Sequence, residues 1–284
     1  EYGFADQQAF LGYQSFIINP EIDNFYKSNA EYSSVSQSID SSRKGFHNKH
    51  SFNISTTVNE NFLVGLNINL HEFIYEEIKT FDEFDYNSES SVRRILFFDD
   101  LFTNGIGTSF QLGTLINLSR LRVGLSYNSP TWFSVEDETL QSIKTDIRTD
   151  DIITEYEVDP KTINYYGDYK IKTPSKTTFS LAYIFGSRGL MSIDYEYSKP
   201  NNTKFDDDGG NDSYLFRLNG AILSGFSQSS SSLRLGGEYR IKNYSLRIGS
   251  FNYDRILDSK KNKIKGLSFG LGVTFGYFDI DIGY

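Results

Sequence analysis

Ionisable side chains that could form a charge pair lie on one face of a predicted hairpin at residues 231–253. In a period-2 strand, Glu238 and Arg240 share a face. The dipeptide Lys242-Asn243 is a two-residue turn, which fixes the register of the hairpin. In that register Glu238 lies directly opposite Arg247, so we predict an ionised carboxylate hydrogen-bonded to a guanidinium.

Charged residues on other predicted strands have the same chemistry. Two readings are open: they line a permeation path, or they are structural pairs that satisfy charge in a confined space. The structural reading is favoured. The predicted charge network consists of Arg122, Asp194, Glu196, Arg234, Glu238 and Arg247, with Asp279 and Asp281 as further acids.

Histidine and acidic clusters raise the question of a metal site. His47 and His50 could join Glu72 or His71, but two histidines at a loop edge without a fixed third ligand are a weak pattern. The acidic stretch Asp206–Asp212 misses the EF-hand spacing, which favours a solvated loop. We therefore predict no metal site and no cofactor.

A hydrolase would need a nucleophile and a base brought together. Serine is abundant and three histidines are present, but no Ser–His pair is placed by spacing. The chain has no cysteine, which excludes disulfides and thiolate metal sites. We predict no catalytic residues and expect a protein that is not an enzyme.

Two aromatic residues, Trp132 and Phe133, follow Pro130 at the end of a predicted strand. The proline marks the point where the strand leaves regular pairing. The favoured reading places the aromatic pair in an interfacial girdle. In the alternative reading, Trp132 and Phe133 form an apolar entry groove and are the candidate ligand-binding residues.

The composition is aromatic yet polar on average. The 284 residues include 24 Phe and 20 Tyr, whereas the mean hydropathy is −0.43. No apolar run approaches the roughly 18 residues of a membrane helix, but the alternating strands of a membrane barrel also average out as polar. A net charge of −9 argues against a nucleic-acid partner.

Apolar residues alternate along about ten segments, for example at Phe179, Leu181 and Tyr183. Short turns lie near residues 60, 120, 187, 242 and 276, and long loops lie near 90, 150, 210 and 260. Long loops on one side and short turns on the other are typical of a membrane barrel. A Greek-key sandwich gives no reason for this sorting. We predict an all-β fold, an antiparallel up-and-down transmembrane β-barrel.

The remaining segments are predicted to be loops and short helices. Residues 21–46, 79–104 and 134–174 are polar and read as loops, with weak alternation only around 152–158 and 163–171. Asp6 could cap a helix that ends near Tyr13. Residues 213–226 are predicted to be helical because Leu215, Leu218, Ile222 and Phe226 repeat every three or four residues. A wall strand there would also place the Lys242-Asn243 turn on the wrong side of the barrel.

The ordered series of hairpins resembles a known family. The segment Tyr169–Tyr197, which includes the run TTFSLAYIFGSRGLMSIDYEY, resembles the FadL/TodX outer-membrane transporters of hydrophobic compounds, especially their Bacteroidota-type branch. Gly105–Phe133 and Leu233–Tyr239 fit the same pattern, and the resemblance covers roughly residues 50–284.

This resemblance implies a fourteen-stranded barrel, of which the chain shows about ten strands. We expect residues 1–284 to form a single barrel domain that lacks the family's N-terminal hatch, its first strands and its last strand. The resemblance also implies diffusion of long-chain fatty acids or similar apolar ligands. The expected location is the bacterial outer membrane, with lipid as a partner.

Two functions therefore stay open ahead of the hydrolase. The first is a passive transporter or channel for hydrophobic compounds, which needs a continuous apolar path. The second is a barrel of the same fold that acts as a structural subunit among other outer-membrane proteins. The second function would show a lumen closed by the charge network.

Overall fold

A computed structural model describes residues 4–21, 25–207, 213–257 and 263–284. Residues 208–212 of the acidic stretch Asp206–Asp212 and residues 258–262 of the predicted loop near 260 lie outside these residues, whereas 263–265 begin a strand. The first elements are α1 (Phe4–Gln14), β1 (Ile18–Pro20), β2 (Tyr26–Ser28), β3 (Ser36–Asn59), β4 (Phe62–Phe84), β5 (Val92–Leu118), β6 (Leu121–Asn128), β7 (Trp132–Thr149), β8 (Ile152–Val158), β9 (Ile163–Tyr165) and β10 (Tyr169–Lys172).

The second half continues the same antiparallel pattern. Its elements are β11 (Lys176–Ile184), β12 (Gly189–Ser198), a short 3-10 helix (Pro200–Asn202), β13 (Lys204–Asp207), α2 (Ser213–Gly225), β14 (Ser230–Ile241), β15 (Tyr244–Asp254), β16 (Lys263–Phe275) and β17 (Phe278–Gly283). Among the described residues, neither helix has the length and apolar character needed to cross a membrane.

One large sheet contains nearly all of these strands. Ten of them pair in the order β3-β4-β5-β6-β11-β12-β14-β15-β16-β17, and β7, β10 and β13 extend the sheet from another part of β5. Sequence neighbours are therefore mostly spatial neighbours, as in an up-and-down topology. The segment between β12 and β14 contains the helix α2, and β12 pairs directly with β14. The predicted helix at 213–226 is thus confirmed.

The chain divides into two compact units. The first consists of residues up to His47, Phe73–Asn104 and Glu136–Gly167. The second consists of Asn48–Glu72, Gly105–Val135 and the chain from Asp168 onwards. Strands β3, β4, β5 and β7 contribute residues to both units.

The first unit has its own apolar core. Helix α1 contributes Leu11, which is almost fully buried, and β5 contributes Val92. The rest of the core is Ala30, Tyr86, Ile95, Ile143 and Ile147. The hydroxyl of Thr145 donates a hydrogen bond of 2.7 Å to the carbonyl of Ser15, which fixes the end of α1 on this core.

The three segments expected to be loops are largely strands, so those predictions were wrong. Residues 36–46 belong to β3, much of 79–104 to β4 and β5, and 134–149 to β7. These parts carry polar residues on both faces, so they lack the alternation from which a strand is predicted. Their polar side chains are satisfied by each other: the buried Glu77 accepts hydrogen bonds from Ser41 and Arg43, at 2.9 and 2.8 Å.

Candidate functional site

The second unit presents one continuous apolar face on six strands, which pair in the order β11-β12-β14-β15-β16-β17. Residues directly opposite each other in a ladder share a face, and the register pairs Leu181 with Ile193 and Ile193 with Leu235. The side chains of this apolar face are exposed; they include Phe179, Tyr183, Met191, Tyr195, Leu235, Tyr239, Leu246, Ile248, Leu267, Phe269, Leu271, Ile280 and Ile282. The opposite, polar face carries the predicted charge network.

The hairpin of β14 and β15 has the predicted register. Glu238 lies opposite Arg247, and Ile241 faces Tyr244 across the turn. The Arg247 Nε donates a hydrogen bond of 2.7 Å to one carboxylate oxygen of Glu238, and Arg240 donates to the other. The Arg247 guanidinium also binds Asp281 of β17, so two acids hold this cation. The side chain of Glu238 is only 13% exposed.

A second ion-pair cluster lies further along the same face. The Arg234 guanidinium donates to Glu196 at 3.2 Å, and the Lys176 ammonium lies 3.6 Å from the same carboxylate. Asp194 lies opposite Arg234 in the ladder. Arg122 lies opposite Ala182, on a different part of the sheet. The predicted network is therefore two clusters, with Arg122 apart from both.

Trp132 and Phe133, the two predicted ligand-binding residues, point to opposite sides of β7 because side chains alternate along a strand. Trp132 is 44% exposed and stacks on Phe110, with ring centroids 6.4 Å apart. Phe133 lies against Gly107, where an added Cβ would be 2.5 Å from its ring. The His71 ring lies 5.7 Å from that of Phe133. The two aromatics therefore do not line one common groove.

Phe133 has both apolar and polar neighbours: Ile171 of β10 lies directly opposite it in the ladder, whereas the groups around His71 are polar. The His71 Nε2 and the Ser109 hydroxyl are 2.9 Å apart, and the Asn69 amide donates to the same hydroxyl at 3.2 Å. The Ser51 hydroxyl continues this chain of hydrogen bonds by donating to the side-chain oxygen of Asn69 at 2.8 Å.

Sequence spacing did not place the contact between His71 and Ser109, because residues 79–104 were expected to be a loop and the register of β4 against β5 was therefore not predicted. Its only sequence signal is that Asn69 and His71 share the polar face of β4. A Ser–His contact alone does not define a hydrolase, because catalysis also requires a group that orients the base and donors for the oxyanion. Among the described residues, no three His, Asp or Glu side chains converge to hold a metal ion.

Comparison with known proteins gives a consistent picture of the fold. No protein-family model matches this chain, and no curated protein matches it in sequence. Its structure is similar to that of a FadL homologue from Pseudomonas aeruginosa, with a TM-score of 0.58, 10% identity and 85% of this chain covered. It is also similar to the toluene transporter TbuX from Ralstonia pickettii, with a TM-score of 0.53, 12% identity and 94% covered.

The chain spans 59% of the length of the P. aeruginosa protein and 69% of TbuX. In this chain the described residues form mainly an antiparallel sheet with a largely sequential strand order and few helices. The fold class predicted from the sequence is thus confirmed. The chain has the fold of the FadL-like outer-membrane β-barrels.

Proposed function

We propose that this chain is a passive outer-membrane transporter of small hydrophobic compounds and not an enzyme. The observation that carries the proposal is the continuous apolar face of β11, β12 and β14 to β17 on a FadL-like fold. A barrel wall has this arrangement because lipid contacts one face, whereas the lumen solvates the other. The likeness to a FadL homologue and to a toluene transporter supports an apolar ligand.

Phe133 is the residue that we propose contacts the ligand. It is an aromatic ring on the polar side of β7, between Gly107 and His71. The polar groups beside this ring are already hydrogen-bonded to each other. An apolar solute can therefore contact the ring without breaking their hydrogen bonds. Trp132, on the other side of β7, is instead proposed to lie in the interfacial girdle.

The finer ligand class is proposed from the resemblance and from the structural neighbours. Long-chain fatty acids are the ligands that the resemblance to the FadL/TodX family and its Bacteroidota-type branch implies. TbuX is described as a toluene transporter, which favours a neutral aromatic hydrocarbon. The two ligands differ in charge, so a comparison of their uptake separates the two classes.

Uptake across an outer membrane tests the proposal, because small hydrocarbons cross simple liposomes without a protein. The chain is expressed in a Gram-negative host that lacks its own FadL-like transporter, and uptake of labelled toluene and oleate is measured. We expect faster uptake of at least one of them, and slower uptake in the Phe133→Asp variant than in Gly113→Ala, where the added methyl group meets nothing. Uptake equal to that of the empty host, with the protein present in the outer membrane, contradicts transport.

A second candidate function is a structural subunit of an outer-membrane assembly. The charges of the polar face favour this function. Glu238, Arg247 and Asp281 are hydrogen-bonded to each other and do not present free charges to a permeation path. This function predicts no added uptake of either solute and co-purification of other outer-membrane proteins after crosslinking. Added uptake without a crosslinked partner contradicts it.

A further inference from the structure

Exposed aromatic side chains also occur in the first unit. Helix α1 carries Phe10 and Tyr13, which are 49% and 43% exposed, and β2 begins with Tyr26, which is 61% exposed. The rings of Tyr13 and Tyr26 meet edge to face with centroids 6.3 Å apart. Solvent-exposed aromatic groups held in a fixed geometry often mark a binding surface.

These three rings line a groove of about 610 Å³, which we term the α1 groove. Asp6 and Gln7 of α1 line it together with Asn164 of β9. The Asn164 amide donates a hydrogen bond to the side-chain oxygen of Gln7, so the two sides of the groove are joined. The helix itself is held by the buried Leu11 and by the bond from Thr145 to Ser15. The groove is therefore built on packed elements, and its volume suits a small ligand.

The chemistry of the lining restricts the ligand. Among the described residues of the groove, Asp6 is the one that carries a charge, so anionic ligands are disfavoured. A purely apolar ligand would cover the polar groups of Asp6, Gln7 and Asn164 without offering them any hydrogen bond, which costs free energy. A sugar ring meets both demands, because its C–H face packs on an aromatic ring while its hydroxyls bond to carboxylate and amide groups.

We propose that the α1 groove is a binding site for a neutral glycan. Tyr13 and Tyr26 supply the aromatic surface, and Asp6, Gln7 and Asn164 supply hydrogen-bond partners for hydroxyl groups. The site belongs to the first unit and does not use Phe133 or the charge network. It goes beyond the transport proposal and does not depend on it, so each can fail alone.

Titration calorimetry on the full chain in lipid nanodiscs tests the proposal, with cellohexaose, maltohexaose and laminarihexaose as probes. We expect at least one of these glucans to bind. Tyr13→Ala and Tyr26→Ala should each lower its association constant by about ten-fold, through loss of the aromatic contact. The control is Tyr165→Ala, since Tyr165 lies in the same unit, is 73% exposed and does not line the groove. This control should bind as the unchanged protein does.

Two further variants separate recognition from folding. Tyr13→Phe keeps the ring and should retain most of the affinity, whereas Asn164→Ala should lower it by about three- to ten-fold through a lost hydrogen bond. Unchanged melting temperatures show that the variants fold. Binding of no glucan, or equal binding by the Tyr13→Ala and Tyr26→Ala proteins, overturns the proposal. Toluene binding that is lost in these two variants, with no glucan binding, assigns the groove to an apolar ligand instead.

Discussion

At the scale of single residues, the polar parts of the sheet depend on acids that accept several charged hydrogen bonds. Glu238 accepts from Arg240 and Arg247, and Glu77 accepts from Ser41, Arg43 and Tyr75. Hydrogen bonds to ionised groups are stronger than neutral ones, and a confined acid without them is costly. The two acids therefore give the clearest residue-scale predictions.

Replacement of Glu238 should destabilise the hairpin of β14 and β15. Glu238→Leu leaves Arg240 without its acceptor, and Arg247 keeps only Asp281. We expect a cost on the order of 1–3 kcal/mol, and a smaller one for Glu238→Gln, which retains one acceptor oxygen. Urea unfolding in lipid measures both variants. Equal stability of Glu238→Leu and the unchanged protein would show that water already solvates this site.

Glu77 should make the first unit sensitive to acid. Burial raises the pKa of its carboxyl, but hydrogen bonds from Arg43, Ser41, Lys79 and Tyr75 outweigh this and lower the pKa from 4.5 to about 2. Because the folded-state pKa is depressed, this stabilisation is fully present above about pH 4.5 and is lost as the pH falls towards 2. Glu77 lies in the part of β4 that belongs to the first unit, beyond residues 62–70, where apolar and polar residues alternate.

The corresponding variant is Glu77→Gln. It should lower stability by about 1–2 kcal/mol at neutral pH, and the difference from the unchanged protein should shrink towards pH 2. Glu76→Gln is the matched control, since Glu76 has one ion pair, with Lys44 at 2.9 Å. Thermal melting across this pH range measures both variants. A difference that persists undiminished at pH 2 would contradict the depressed pKa.

The sequence predicted some of these residue contacts and not others. The pair Glu238–Arg247 follows from a two-residue turn, because the register is fixed within about ten residues of chain. The contact between His71 and Ser109 joins strands whose pairing register no short turn determines. Trp132 and Phe133 point to opposite faces because neighbouring side chains alternate along a strand. The girdle and groove hypotheses nevertheless treated the two residues as a pair.

At the scale of elements, predictability depended on whether one face of a strand is apolar. Strands β11, β12 and β14 to β17 alternate clearly, and their sequence boundaries agree closely with the structure, whereas the short β13 lies in a segment expected to be a loop. The first parts of β3 and β5 and most of β7 do not alternate, because hydrogen-bonded polar side chains replace apolar packing there. The helix α2 was predictable for a different reason. Its apolar residues repeat every three or four positions, and a strand there would have placed the Lys242-Asn243 turn on the wrong side of the barrel.

The contact between β5 and β7 gives an element-scale prediction. Gly107→Ala places a methyl group about where the Phe133 ring now lies, because the added Cβ would be 2.5 Å from a ring carbon. We expect the ring to shift and the stability to fall by about 1–3 kcal/mol, the usual cost of overpacking. Gly113→Ala, in the same strand, is the control because its Cβ meets nothing within 4 Å.

Urea unfolding of the two variants measures this contact. The unchanged protein and Gly113→Ala should agree within about 0.5 kcal/mol, as expected for a site without neighbours. If Gly107→Ala is also neutral, Phe133 does not pack on β5 in the way described. In that case the proposed ligand contact at Phe133 loses its structural support.

At the scale of the whole molecule, the exposed apolar face must contact lipid if the chain forms a membrane barrel. Most of a soluble protein's large apolar side chains are buried, but here rows of Phe, Leu, Ile and Tyr are exposed on neighbouring strands. Burial of apolar surface contributes about 25 cal/mol per Å², so such a face is stable only against an apolar medium or partner. The amphipathic alternation could be predicted from the sequence alone, whereas the polar extension of β3, β4 and β5 into the first unit could not.

The most direct test uses the single tryptophan of the chain. Trp132 lies on the exposed side of β7, and Phe133 points to the other side. The protein is reconstituted into bilayers that contain brominated lipids, and quenching of Trp132 fluorescence is measured. A variant that combines Trp132→Phe with Phe133→Trp moves the indole to the polar side and serves as the matched control.

If the exposed face contacts lipid, Trp132 should be strongly quenched, and more by bromine near the headgroup than by bromine deep in the chain, as for an interfacial girdle residue. The swapped variant should be quenched far less. Equal quenching of both proteins, or none for Trp132, would contradict the orientation of the barrel wall and with it the proposed transport function.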